Sequence, residues 1–427
     1  MIGAIADDFT GATDAAVAFR HAGLRTAILF GTPAEQPDLP PHDAIVIALK
    51  TRTVDPNLAV QQSLTAAQWL RARGAPRIYF KYCSTFDSSA AGNIGPVCDA
   101  LAQQLGSPVT VVAPSAPNHH RTQYLGHLFV GGELLSSSPM RNHPLTPMTE
   151  SHIPTVLRSQ TERPVELVTH AIVREGRAAV RRELDRLAQL GVRYAVIDAV
   201  TAEDLDEIGA ACAEDVFATG SAGLAGGLGH AIAGGARETR GHDDGAPGTV
   251  GEGLAAVLAG SCSARTLEQI ALMQVEHPSY RLDALSCTDP AALAQGAVAW
   301  YDSLPAKWPA PLIYSSLGSE ELQRTQQRLG TDVAAAILEE AMGRVAVALV
   351  ERGVRRLVVA GGETSGSVVT ALRIPGGLIG NEEAPGVPWI YTPGPDPLAL
   401  LLKSGNFGDP YLLTRAIRAR HVPDLQK

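Results

Sequence analysis

Ile5-Ala6-Asp7-Asp8-Phe9-Thr10-Gly11-Ala12-Thr13-Asp14 lies at the head of the chain, and these ten residues decide its fold class. The apolar run from Ile2 to Ala6 stops at two adjacent carboxylates. An alanine-rich segment then sets Ala12, Ala15, Ala16 and Phe19 at helical spacing until Gly23. That pattern predicts strand, turn, helix. In open α/β sheets the carboxyl ends of strands and the amino ends of the following helices face one crevice, so Asp7 and Asp8 are expected there. The N–H groups of Gly11, Ala12 and Thr13 would point there too and offer a place for an anion. One acid before a helix is ordinarily its cap. Two acids side by side repel each other and capping needs only one, so the pair also suggests chemistry.

The same alternation continues outward from this unit. Strands are expected from Thr26 to Phe30 and from Asp43 to Leu49, the latter ending at Lys50-Thr51-Arg52. A helix from about Asn57 to Arg73 leads to a strand from Arg77 to Tyr82, which runs into Cys83-Ser84-Thr85-Phe86-Asp87-Ser88. Strands alternating with helices give a mostly parallel sheet with crossover connections and one functional edge. From Arg121 to Leu135 the pattern changes, and Gly131-Gly132 between two short apolar runs predicts a two-residue hairpin. The segment Met140-Arg141-Asn142-His143-Pro144-Leu145-Thr146-Pro147-Met148-Thr149 is expected to be an ordered loop, with Arg141 and His143 placed to cover a site. Alternation returns from Val165 to Cys212.

At 427 residues the chain is long enough for two substantial domains. A stretch rich in glycine and polar residues separates them, giving residues 1–232, a linker over 233–253, and 254–427. The second part repeats the α/β pattern, with strands expected from Leu254 to Ala259, Pro311 to Ser315 and Arg355 to Ala360. Hydrophobic residues at 45% against 19% charged exclude a disordered chain. A net charge of −9 with no basic stripe argues against a nucleic-acid partner. Five scattered cysteines without C-x-x-C spacing argue against a disulfide framework or a zinc site, and His119-His120 lacks a partner at ligand spacing. No apolar run approaches membrane-spanning length, so no membrane partner and a cytoplasmic location are expected.

Three small-residue loops in the second part carry the chemistry there. Gly361-Gly362-Glu363-Thr364-Ser365-Gly366 follows the strand Leu357-Val358-Val359-Ala360, Gly260-Ser261-Cys262-Ser263 follows another strand, and Lys403-Ser404-Gly405-Asn406-Phe407-Gly408 is the third. Glycines between a strand and a helix let backbone N–H groups approach an anion, and hydroxyls add donors or reach a metal. Alone such a loop is also an ordinary tight turn. Three together favour a nucleotide. Neither G-x-x-x-x-G-K-[ST] nor a G-x-G-x-x-G after the first strand occurs, which excludes a standard P-loop and weighs against a dinucleotide dehydrogenase. In the first part, Arg52 and Lys81 stand at strand ends, and a bidentate arginine beside a lysine is an apt receptor for a small carboxylate. A surface salt bridge would explain Arg52 alone. Lys81 sits between Phe80 and Tyr82 in an apolar run, where a surface pair explains less.

The Asp7-Asp8-Phe9-Thr10-Gly11-Ala12 opening and the three loops, in this order, resemble the four-carbon acid sugar kinases, over nearly the whole chain. Lys81-Tyr82-Cys83-Ser84-Thr85-Phe86-Asp87-Ser88 with Gly92-Asn93-Ile94-Gly95-Pro96-Val97, and Met140 to Pro147, are most similar to its 3-oxo-tetronate kinase branch. Ser89 and Ala90-Ala91 depart from that branch, where threonine and an acid are commoner. The resemblance implies two α/β domains with the active site in the cleft between them. It implies sugar-acid contacts from Asp8, Arg52, Lys81, Tyr82, Cys83 and Ser84. ATP would be held by Ser261, Ser263, Gly361, Gly362, Glu363, Thr364 and Gly405. The expected reaction is transfer of a phosphoryl group from ATP with Mg2+ to the 4-hydroxyl of 3-oxo-tetronate. Asp8 is the candidate base, while Asp7 could take that role or reach magnesium through water; the metal ligands stay unassigned. The rivals are a D-threonate or D-erythronate 4-kinase, an α/β oxidoreductase on the same acids, and a non-catalytic sugar-acid sensor. Oligomeric state is left open, a homo-oligomer included.

Overall fold

The computed structural model describes residues 1–33, 37, 39–143, 146–234, 254–305 and 309–418. Contacts divide the chain into two compact units, Met1–His242 and Asp243–Lys427. Apart from Ala233 and Gly234, the expected linker lies outside the described residues, as do Pro144 and Leu145 of the proline-rich loop.

The first unit's strands are β1 (Ile2–Ala6), β2 (Thr26–Phe30), β3 (Ala44–Ala48), β4 (Arg77–Lys81) and β5 (Thr110–Ala113), then β6 (Arg121–Tyr124), β7 (His127–Val130), β8 (Glu133–Leu134), β9 (Val165–Val168), β10 (Tyr194–Ile197) and β11 (Phe217–Gly220). Eight form one parallel sheet in the order β2-β3-β1-β4-β11-β5-β10-β9. Every residue of β1 is buried, because helices cover both faces of such a sheet and a central strand then has no polar side. Gly3 is needed on β1: a Cβ there would lie 2.9 Å from Leu70 of the helix Pro56–Ala72, so the missing side chain lets that helix settle onto the strand. Register pairs Ala6 with both Ala48 and Lys81, which brings the ends of β1, β3 and β4 level. β11, with the helix Ala222–Ile232 after it, was not expected from the sequence, yet it lies between β4 and β5.

The excursion at 121–134 is a three-stranded antiparallel sheet, β6-β7-β8. Its β7 to β8 turn uses the two glycines, with φ +64° at Gly131. Asp198, at the end of β10, anchors it. This fully buried carboxylate accepts from the N–H groups of Leu125 (2.7 Å), Gly126 (2.9 Å) and His170 (3.1 Å), and from Gln123 Nε2 (3.3 Å). Truncation would strand three backbone donors, so Asp198→Ala is expected to lower unfolding stability by about 3–5 kcal/mol. Urea titration checks it, and an unchanged midpoint would remove Asp198 as the anchor.

The second unit has β12 (Leu254–Ala259), β13 (Ser279–Arg281), β14 (Leu312–Tyr314), β15 (Val354–Ala360), β16 (Gly376–Ala384), β17 (Val387–Tyr391) and β18 (Ala399–Lys403). β13-β14-β12-β15-β18 run parallel, and β17 and β16 continue the sheet antiparallel. Its core packs Val257, Met273, Val358, Leu401 and Leu412 together.

Candidate active site

Asp7 and Asp8 follow β1, and the chain after β3 closes over them: the N–H groups of Thr51 and Arg52 donate to the Asp7 carbonyl at 2.8 and 3.1 Å. Asp8 is extended and caps the helix Phe9–His21, accepting from the Gly11 N–H at 2.8 Å. It is therefore the cap that one acid alone would be, and also part of a charged cluster. Arg52 grips Asp7 bidentately, Nε to Oδ2 at 2.9 Å and Nη2 to Oδ1 at 2.8 Å, and Nη2 also reaches Asp8 Oδ1 at 2.6 Å. The bidentate fork expected to face a carboxylate ligand is thus taken by Asp7, and only Nη1 remains without a partner among the described residues. Burial works against the guanidinium's charge, but the two carboxylates outweigh it and hold its pKa above the usual range.

The two acids differ in reach. The Asp7 side chain is 4% exposed and that of Asp8 28%, so Asp8 is the one a substrate can touch. Burial raises the Asp8 pKa, Asp7 adds to the rise, and Arg52 and Lys81 oppose it. Lys81, buried in β4, directs its ammonium to the same place: a Cβ on Gly11 would lie 2.3 Å from Asp8 Oδ1 and 2.8 Å from Lys81 Nζ. The Lys81 ammonium makes no hydrogen bond or ion pair among the described residues. A buried cation near Asp8, with no hydrogen bond of its own among the described residues, at a helix amino end suits an anionic ligand.

The segment after Lys81 divides. The Tyr82 side chain is fully buried, packs edge-on against Phe80 and Phe86, and its phenol meets Thr219 Oγ1 at 3.1 Å, while its N–H donates to the Gly220 carbonyl at 3.1 Å, so neither its ring nor its N–H is free to meet a substrate. Cys83 is partly exposed. Its thiol contacts Thr85 Oγ1 at 2.9 Å, and burial, then Asp87, pushes its pKa up to about 11, which keeps it protonated. Ser84 is partly exposed. Arg141 and His143 are engaged locally, with the Ser136 carbonyl (3.2 Å) and the Thr146 hydroxyl (2.9 Å), and among the described residues no contact brings either to Asp8.

In the second unit the three small-residue loops meet. A Cβ on Gly260 would lie 2.2 Å from Thr364 Oγ1. One on Gly361 would lie 3.0 Å from both the Ser261 nitrogen and Thr364 Oγ1, and one on Gly405 would lie 2.5 Å from Ser261 Oγ and 3.0 Å from Ser263 Oγ. Ser263 also caps the helix Ala264–Met273 through the Thr266 N–H. Gly362 and Glu363 open the helix Gly362–Ala371, whose first N–H groups face outward from its amino end. Three glycines, the hydroxyls of Ser261, Ser263 and Thr364 and a helix amino end thus lie close together, the composition of a phosphate cradle.

The model for a sugar-binding N-terminal domain matches residues 2–228, and that for a nucleotide-binding C-terminal domain matches 256–413. The chain belongs to the four-carbon acid sugar kinase family. It is 44% identical to a Methylobacterium radiotolerans protein over 97% of this chain and 98% of that one, and 45% identical to a Pseudomonas fluorescens protein over 98% and 96%; both are named 3-oxo-tetronate kinase. A crystal structure from Salmonella typhimurium superposes with TM-score 0.88 at 40% identity, covering 98% of each chain. One from Haemophilus influenzae gives 0.85 at 38% identity, covering 97% and 99%.

This kinase uses ATP, and two residues hold the loops beside Arg52 and Ser88: Asn93, within a motif already noted, and Gln160, which carried no sequence signal. Asn93 donates to the carbonyls of Thr51 (2.7 Å) and Val54 (3.2 Å), which fixes the loop that carries Arg52. Gln160 donates to Ser88 Oγ and accepts from the Gly95 N–H, both at 2.8 Å, pinning the 88–95 turn. A Cβ on Gly95 would strike the Gln160 side chain at 2.6 Å, which explains the glycine in that motif. Among the described residues no three His, Cys, Asp or Glu gather around one point. A metal carried by nucleotide phosphates needs only one or two protein oxygens, so it requires no such cluster. No described helix is long and apolar enough to cross a membrane.

Proposed function

We propose that the chain transfers the γ-phosphoryl group of MgATP to the 4-hydroxyl of 3-oxo-tetronate, giving 3-oxo-tetronate 4-phosphate and ADP. The observation that carries this is the meeting of Asp8, Arg52 and Lys81 at the ends of β1, β3 and β4, in a chain whose curated relatives are named for that kinase activity. Residues 1–232 would bind the sugar acid and 254–427 the nucleotide. Lys81 and Arg52 Nη1 receive the carboxylate, with Cys83 and Ser84 lining the same edge. Asp8 accepts the proton of the 4-hydroxyl as its oxygen bonds to the γ-phosphorus, and the bond from that phosphorus to the β,γ-bridging oxygen breaks. Asp7 orients Arg52. Ser261, Ser263, Gly361, Gly362, Thr364 and Gly405 hold the phosphates, with Glu363 and Thr364 as oxygen donors toward magnesium. Magnesium, when bound, neutralises phosphate charge. The reaction also requires the two bound molecules to be brought in line, since phosphoryl transfer depends mostly on positioning. The five free cysteines suit a reducing cytoplasm.

ATP consumption against D- and L-threonate, D- and L-erythronate and their 3-oxo forms, with products identified by mass, tests the reading. Turnover of the oxo acids with one added phosphate is expected. Turnover confined to the plain tetronates would make the chain a tetronate 4-kinase instead.

A further inference from the structure

Lys403 closes β18 and is 1% exposed. Its ammonium donates to Gln269 Oε1 at 2.6 Å, Thr266 Oγ1 at 3.0 Å and the Gly405 carbonyl at 3.0 Å. All three acceptors are neutral, and among the described residues no carboxylate pairs with this cation. The same side chains fasten the loop beyond it: Thr266 donates to the Gly405 carbonyl at 2.8 Å, and Gln269 to the carbonyls of Phe407 (3.2 Å) and Asp409 (2.8 Å). The ammonium therefore sits directly behind the glycine that faces Ser261 and Ser263.

Burying a charge without a counter-ion costs free energy that an apolar residue of similar length would avoid. The charged groups on the neighbouring elements do not relieve it. Arg265 and Glu268 pair with each other at 2.7 Å, and Asp409 with Arg415 at 2.8 Å. Arg356 on β15 donates to the Ile417 carbonyl, and Glu363 lies in the first turn of its helix. An anion is what this environment lacks.

We propose that Lys403 is a positioning residue for the nucleotide, holding the Gly405 loop against the Ser261 to Ser263 turn and finding its counter-charge in the bound phosphates. The inference rests on the second unit being the ATP site. Burial, helped by Arg265, lowers the Lys403 pKa to about 8 in the free chain. Phosphates favour the charged form, so binding raises that pKa and takes up a proton wherever the free amine is partly neutral. Affinity is then full below about pH 8 and weakens by up to about tenfold per pH unit as pH rises through that value.

The test is calorimetric titration of the whole chain with MgATP, without sugar acid, from pH 7.0 to 9.5 in two buffers of different ionisation enthalpy. Uptake near zero at the acid end and approaching one proton at the alkaline end is expected. Lys403→Met should bind at least about tenfold more weakly at pH 7 with no pH dependence, and Lys403→Arg should recover most of the affinity, also without it. The uptake should survive in Cys262→Ala, which removes the thiol from the same turn. Binding with flat affinity and no uptake overturns this inference alone, and the wild-type measurement decides even if the variants do not fold. No MgATP binding at any pH overturns the nucleotide reading and the inference with it.

Discussion

Replacing Asp8 with asparagine is expected to lower kcat by about a hundredfold or more while the fold survives. Asparagine caps a helix as well as aspartate does, so the Gly11 N–H stays satisfied and the helix Phe9–His21 keeps its start. The substitution removes the capacity to take a proton from the sugar-acid hydroxyl. Asp7 does not substitute, because both its oxygens are held by Arg52 and its side chain is 4% exposed. A base works deprotonated, and the Asp8 pKa is raised, first by burial and then by Asp7. Activity is therefore present above that pKa and lost as pH falls through it, so the acid limb of kcat/KM lies above the ordinary aspartate range. Asp8→Asn should erase that limb together with most of the rate. Steady-state kinetics across the acid range, with circular dichroism as the folding control, checks both. Wild-type kcat in a folded Asp8→Asn protein would leave Asp8 as a helix cap and nothing more.

The ends of β1, β3 and β4 were legible because each is an apolar run stopped by a charged or polar residue, a local pattern. β11 was not, since Phe217-Ala218-Thr219-Gly220 is four residues with one large apolar side chain, and its place between β4 and β5 comes from pairing across more than a hundred residues. The same difference separates the site residues. Lys81 ends its strand, Asp8 and the glycine loops follow theirs, and all could be placed by chain position. The hold of Arg52 on Asp7 spans forty-five positions and depends on a loop that Asn93 fixes from elsewhere, so a free receptor arginine and a paired one look alike in sequence. Tyr82 shows the limit of motif reading. It sits within a matching segment, yet alternation along an extended chain turns its ring into the core while its neighbour Cys83 stays partly exposed.

Gly361→Ala is expected to weaken ATP binding by about tenfold or more, and Gly362→Ala to leave it nearly unchanged. The two glycines are adjacent, but the backbone distinguishes them. Gly361 has φ +128°, where a side chain is strained at a cost of about 1–3 kcal/mol, and its added methyl would lie 3.0 Å from both the Ser261 nitrogen and Thr364 Oγ1. It would stand between the two and push the Thr364 hydroxyl, proposed to face the phosphates, away from the Ser261 backbone, whose N–H donates to the Ala360 carbonyl at 3.2 Å. The Gly361 N–H also donates to the Lys403 carbonyl at 2.9 Å, so a shift there reaches the end of β18. A methyl on Gly362 meets nothing within 4 Å and lies in the first turn of a helix, where alanine is favourable. Titration with MgATP, paired with thermal melts to separate lost binding from lost folding, measures the contrast. If folded Gly361→Ala binds ATP as the wild type does, the space enclosed by Ser261, Gly361, Thr364 and Gly405 is not where the phosphates lie.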